Sequence, residues 1–326
     1  MSENLLFVIA LFNTMIVYSI PLLYGTLGEI IIEKSGSLNL GVEGTMVIGA
    51  LFGCYIGSVT GSVWLGLLLA MISGALCGLL FAWLTVSMCA NQNVTGLTLS
   101  TLGTGLYFFI GHTVKWGDKF DALLASTASF KIPLLGDIPV VGDIIFNNSW
   151  YVYAGVLLAI ALWFYFNKTK MGLKLLAIGE NPAAADSCGV NIKAYKYINI
   201  CLGSAIMGVG GYYMGCHMGS FANMGGWVNG YGWIAVALVI FANWNPARAI
   251  LGTVVFGLCS TLELRGTDIA FTFPDVFGWL GGISPYFFKA LPFAVTALVL
   301  IIDSMRKNKK SGEPAAIGVQ YFREDR

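Results

Sequence analysis

Apolar runs alternate with short polar breaks along most of this 326-residue chain. Runs at residues 5–27, 44–59, 62–88, 94–114 and, after a long connection at 115–149, 150–166 precede a basic polar stretch at 167–196, and runs at 197–214, 231–241, 247–264 and 287–303 follow it. A helix that crosses hydrocarbon needs about 20 residues, so the runs at 44–59 and 231–241 read as short elements that tilt, break or re-enter, as protein-lined cavities permit. The pattern predicts an all-α polytopic membrane protein with about nine transmembrane segments in one domain, residues 1–326. The N-terminus lacks a basic region and a small-residue cleavage site, so residues 5–27 read as a first span rather than a removed signal.

Composition agrees with that class. Charged residues make up 11% of the chain and mean hydropathy is +0.76, whereas soluble domains carry roughly 25% charged residues. The net charge of +1 hides an uneven spread of the 18 Lys and Arg. Lys168, Lys170, Lys174, Lys193 and Lys196 lie in the polar stretch, and Arg306, Lys307, Lys309, Lys310, Arg323 and Arg326 lie after the last run. Basic connections stay inside, which makes 167–196 and the tail 304–326 cytoplasmic and, over nine crossings, the N-terminus external. Topological anchoring explains the tail more simply than nucleic-acid or lipid binding, and no nucleic-acid partner is expected. Residues 115–149 hold Asp118, Asp121, Asp137 and Asp143 against three lysines, so they read as an extracytoplasmic loop. The seven cysteines show no metal-ligand spacing. Those in apolar runs behave as small hydrophobes, and no metal site is expected.

Glycine occurs 41 times, with small-residue ladders at Gly66, Ser73, Gly74, Gly78 and at Gly203, Gly208, Gly210, Gly211. Such faces let membrane helices approach closely. GVEGTMVIGA at 41–50 and GYGWIAVALV at 230–239 each open a short run before a glycine-rich longer one. An odd number of predicted crossings separates them, which predicts inverted repeats with short or broken helices, a transporter signature. Amides and hydroxyls in hydrocarbon need partners or a wet cavity. Asn91, Gln92, Asn93, Thr95, Thr98, Ser100, Thr101 and Thr104 open the 94–114 run and would suit a neutral, hydrogen-bonding solute; pairing between helices is the competing reading. Asn39 and Glu43 precede the first repeat opening. His217, Asn223, Trp227, Asn229, Trp233, Asn243 and Trp244 flank the second. From these the candidate substrate pathway is Asn39, Glu43, Asn91, Gln92, Asn93, Asn229 and Trp233. No Walker A, HExxH or GxSxG motif is present, and neither histidine has a carboxylate at motif spacing. A carrier is therefore favoured over an enzyme, with an ion channel or secondary carrier as the alternative, and any ATP hydrolysis must occur on a partner.

Three blocks carry a family resemblance: GEIIIEKSGSLNLGVEGTMVIGA at 28–50, GLKLLAIGENPAAADSCGVNIKAYK at 172–196 and GYGWIAVALVIFANWNPARAILGTVVFG at 230–257. The chain resembles the branched-chain-type ABC importer permeases for simple sugars and nucleosides, most closely the nucleoside subgroup. The resemblance implies a type II-like ABC importer permease that binds no cofactor, with ATP and Mg held by a cytoplasmic ABC ATPase of two nucleotide-binding domains. It also implies a second homologous permease, read as a heterodimer partner, and a substrate-binding lipoprotein or periplasmic protein. Ribose, galactose-type sugars or riboflavin are the alternative cargoes. The family's coupling motif falls on Gly179, Glu180, Asn181, Pro182, Ala184, Ala185 and Gly189. Pro182 suits the first position of a short helix, Asn181 its cap and the alanines its body. Two positions depart from the family: Lys34 where relatives often have Arg, and FANW at 241–244 where many have FGxW, with Ala242 bulking a tight corner.

Overall fold

The computed structural model describes residues 3–113, 130–131, 136, 138–217, 228, 230–305 and 312–322. Helix α1 (Glu3–Lys34) ends in a turn at Gly36, whose φ of +76° favours glycine. Then come α2 (Val42–Thr60), α3 (Val63–Ala82) with a π-helical turn at Trp83–Ser87, and α4 (Gln92–Thr113). A two-residue antiparallel pairing joins β1 (Phe130–Lys131) to β2 (Asn147–Asn148), with α5 (Val141–Ile145) just before β2. The second half holds α6 (Trp150–Lys168), α7 (Lys170–Glu180), α8 (Pro182–Ser187) and α9 (Ile192–His217). It continues through α10 (Tyr231–Phe241), α11 (Pro246–Thr272) and α12 (Pro274–Phe277) to α13 (Pro285–Met305).

The centre is the second half of α1. Every residue from Ser19 to Glu33 is buried, as expected of a helix that is apolar on all sides. Helices α2 and α9 pack on one side of it, α6, α10 and α11 on the other. The predicted small-residue ladders do meet. A Cβ on Gly28 would collide with the Gly203 carbonyl, one on Gly49 with Gly208, and one on Gly74 with the Ser204 carbonyl. Backbone-to-backbone approach of this kind is how membrane helices associate without a hydrophobic driving force.

The expected nine spans are not what the structure shows. Among the described residues, helices cover all nine predicted runs, but five are long and apolar enough to cross a membrane: Glu3–Lys34, Val42–Thr60, Val63–Ser87, Trp150–Lys168 and Pro246–Thr272. The others fail for separate reasons. Asn, Gln, Ser and Thr dilute α4, and Lys193, Lys196 and Asn199 dilute α9. Helix α10, with 11 residues, reaches only about 16 Å, and the apolar part of α13, Tyr286–Leu298, is also short. The run at 44–59 is in turn no short element, since α2 has 19 residues. The inversion of the repeat was deduced from nine crossings and falls with that count.

Candidate translocation and coupling sites

Three groups of residues concentrate the polar chemistry. The first lies where the two glycine-rich openings meet. Glu43, in the first turn of α2, accepts the Gly230 N–H at Oε1 (3.0 Å) and the Gly232 N–H at Oε2 (2.7 Å). A carboxylate at the start of α10 satisfies N–H groups that a helix N-terminus leaves open, and a Cβ on Gly232 would strike the Glu43 backbone. Trp233, 39% exposed, follows on α10. Glu43 and Trp233 are thus brought together; Asn229, Asn223 and Trp227 lie outside the described residues, as does the side chain of His217.

Below this junction is a network that the sequence reading missed. Glu29 and Glu33, one turn apart on α1, are both buried. Glu29 Oε1 accepts the Asn39 N–H (3.1 Å), and Trp244 Nε1 donates to Glu33 Oε2. Asn39 is fully buried, with its Oδ1 accepting the Gly41 N–H (2.8 Å). Trp244 is therefore a buried donor rather than an open stacking surface. Asn243 and Trp244 hold positive φ of 51° and 53°, a conformation costing about 1–2 kcal/mol for a non-glycine residue. Ala242, by contrast, has an ordinary helical φ of −73°, so the FANW departure strains nothing at that position. The only sequence signal for this network was the spacing of Glu29 and Glu33; Asn39 lies ten positions from Glu29, but Trp244 lies 211 from Glu33.

The second group is α4. Asn91 is exposed and its Oδ1 accepts the Val94 N–H (3.1 Å), capping the helix. Gln92 is buried and accepts the Leu38 N–H (2.6 Å), tying α4 to the loop after α1. Asn93 is exposed and shares a polar hollow with Asn91, Gln92, Gly318 and Gln320. One face of α4 packs on α2 through Leu99, Ser100 and Gly103. The opposite face is open, with Thr98, Thr101, Gly105 and Phe108 exposed. The two threonine hydroxyls donate to Val94 and Leu97 carbonyls, which leaves their lone pairs facing outward.

The third group is the α7–α8 corner. Thr169 caps α7 through Gly172 N–H (3.0 Å), and Gly172 lets α7 turn tightly against the Tyr165 carbonyl. Asn181 Oδ1 accepts the Ala184 N–H (3.0 Å), Pro182 opens α8, and Gly189, at φ +79°, follows its end. Ala185 packs inward with Ile178 and Ile192, while Glu180, Asn181 and Ala184 face out. Gly179 binds the corner to the rest: its carbonyl accepts the Ala316 N–H (2.9 Å), and a Cβ there would meet the Lys34 carbonyl. Residues 312–322 lie across this face. Lys34 Nζ donates to the Gly312 carbonyl (2.7 Å), Gln320 Nε2 to the Cys89 and Ala90 carbonyls, and Tyr321 OH to Asp186 Oδ2 (2.9 Å). Among the described residues no group of three or more His, Cys, Asp or Glu stands ready to hold a metal.

A multi-pass helical membrane protein with a capped helical knob tied to its central helix has the build of a transporter's membrane subunit. Residues 11–300 match the family described as the permease component of the branched-chain amino acid transport system, and the chain belongs to it. It is therefore the permease subunit of an ABC importer, whose architecture implies a cytoplasmic ATPase and a substrate-binding component. A putative glucose ABC transporter permease protein of Haloferax volcanii is 32% identical over 98% of this chain and 99% of its own length. A guanosine ABC transporter permease protein of Bacillus subtilis is 33% identical over 94% of this chain and 95% of its own. A nucleoside ABC transporter permease protein of Lactococcus lactis is 32% identical over 95% of both. No solved structure matches.

Proposed function

We propose that this chain carries a nucleoside across the cytoplasmic membrane, paired with a second homologous permease. Two ATPase domains would dock on the α7–α8 corner, and an external binding protein would deliver the solute. The observation that carries the coupling reading is the joining of Gly179 to both Lys34 and Ala316. A push on exposed Glu180, Asn181 and Ala184 would pass through it to the buried half of α1. The basic residues of 167–196 would orient the ATPase. ATP binding and hydrolysis on the partner would then switch the solute cavity between its two exposures. That cavity would be bounded by Glu43, Trp233 and the open face of α4, next to the cap residue Asn91 and exposed Asn93.

Support for a nucleoside comes from two relatives named for guanosine and nucleoside transport and from hydroxyl acceptors beside the aromatic Phe108. The relative named for glucose, equally similar, favours a second reading: a sugar of like polarity. Uptake of labelled nucleosides, glucose, ribose and riboflavin by the reconstituted complex separates them. Uptake of a sugar but no nucleoside rejects the first reading. Replacing Glu180 and Pro182 together should cut uptake at least about tenfold while docking of the loaded binding protein persists; undiminished ATP-coupled uptake rejects the coupling role.

A further inference from the structure

A hollow of about 360 Å³ lies between α8, the start of α9, the link before α4 and the 312–322 segment. Lys196 lines it at 5% exposure, and among the described residues no hydrogen bond or ion pair reaches its ammonium. Its Nζ is not among the fully enclosed polar atoms left without a partner, so the ammonium opens onto the hollow, where a largely desolvated charge gains from an anionic partner. The same hollow receives the N-terminus of the 26-residue helix α9. Asn191 Oδ1 takes the Ala194 N–H (3.1 Å), which leaves the first-turn N–H groups of Ile192 and Lys193 with no acceptor inside the helix. Among the described residues the formal charge around the space is positive, because Lys193 and Lys196 outnumber Asp186, whose Oδ2 is already engaged by Tyr321.

We infer that this hollow binds a phosphate-type oxyanion, held between the Lys196 ammonium and the open N–H groups at the start of α9. Helix N-termini and lysine ammoniums both recognise such groups. The volume exceeds what the oxyanion needs, so the ligand is the phosphate of a small organic phosphomonoester or of a phospholipid headgroup. Tyr321 and Gln320 form part of the wall, so a bound anion would touch the segment that ties the α7–α8 corner down. Burial lowers the Lys196 ammonium to about 8, which leaves it mostly protonated at neutral pH. Anion binding in this hollow is independent of which solute is transported.

Equilibrium dialysis of the purified full-length chain against labelled sulfate and inorganic phosphate tests it. One saturable site is expected, weakened about tenfold or more in Lys196→Met, since a buried charge-assisted contact is lost. It should be kept within about threefold in Lys196→Arg and in Lys174→Met, an exposed lysine of α7 that does not line the hollow. Melting temperatures recorded alongside separate lost binding from lost folding. No saturable binding by the wild-type chain up to about 10 mM overturns the proposal, whatever the variants do. So does Lys196→Met binding as wild type, or Lys196→Arg losing binding at an unchanged melting temperature. Nanodiscs assign the source: phosphate displaced by phosphatidylglycerol but not by phosphatidylcholine means a headgroup site, and equal binding in both means a soluble phosphomonoester.

Discussion

Helices α4 and α9 are both rich in glycine, yet one has an open face and the other is closed in along most of its length. On α9, Gly203, Ser204, Gly208 and Gly211 lie against Gly28, Gly74, Ala70 and Met46. On α4, Leu99, Ser100 and Gly103 are packed, but Thr98, Thr101 and Gly105 are not, and a Cβ on Gly105 would meet nothing within 4 Å. Small residues thus serve two ends. Where another backbone is close they permit contact; where none is, they leave a smooth, hydrogen-bonding surface for something outside the chain.

The largest contrast should come from adding bulk to each helix. Gly208→Val drives a side chain into the Ala70 carbonyl and should cost about 3 kcal/mol or more, at the upper end of overpacking. Gly105→Val should stay within about 0.5 kcal/mol while slowing uptake. Thermal unfolding in detergent, with transport by the reconstituted complex, reads both. Equal destabilisation by the two substitutions would erase the distinction drawn between the helices.

The junction that separates them is next in size. Glu43→Gln leaves only one of two backbone N–H groups with an acceptor, and should lower stability by about 1–3 kcal/mol. Glu43→Asp, too short to reach both N–H groups, should fall between. A glutamine variant that melts with wild type would show that α10 is held by its apolar contacts alone.

A smaller effect is expected on the open face. Thr98→Val with Thr101→Val keeps shape and removes outward lone pairs. Melting should hardly change, while uptake at limiting solute should fall about tenfold, the worth of one or two hydrogen bonds. Unchanged uptake would move the solute path away from α4.

Much of this contrast could be read from the sequence, and the unread part has a physical cause. Hydropathy located the helices because burial in lipid or protein demands apolar residues in either case. That same ambiguity inflated the span count: the runs at 197–214 and 231–241 are apolar because they pack inside the protein. The α8 helix was readable because capping is local, with Asn181, Pro182 and the alanines adjacent. Polar residues proved harder. An asparagine that caps a helix, as Asn91 does for α4, has the same local signature as one facing a solute. The partners of Glu33 and Gln92 are distant in sequence, so only the fold brings them to Trp244 and Leu38, whereas Glu29 meets Asn39 across the turn that follows α1. Lys196, counted with its neighbours as a sign of sidedness, differs from them by being buried, and no pattern of lysines reveals that.

The N-termini of the two helices offer the finest comparison. Asn91 and Asn191 cap α4 and α9 alike, each through an N–H three residues on. Beside the α4 cap stand neutral Gln92 and Asn93; beside the α9 cap stands the Lys196 ammonium. Anion binding is therefore expected at α9 alone, and it requires the proton on Lys196. With the free site titrating near pH 8, affinity is full below that value and lost as pH rises through it. Sulfate keeps its charge throughout, so it should bind about tenfold more weakly at pH 9 than at pH 7. Among the described residues, Lys193, Asp186, Cys89 and Tyr321 are the other ionisable side chains that line the hollow. Lys196→Met keeps all four, so any residual binding in that variant should show no step near pH 8. A step that survives the substitution would assign the proton to one of those neighbours and leave Lys196 without a part in anion recognition.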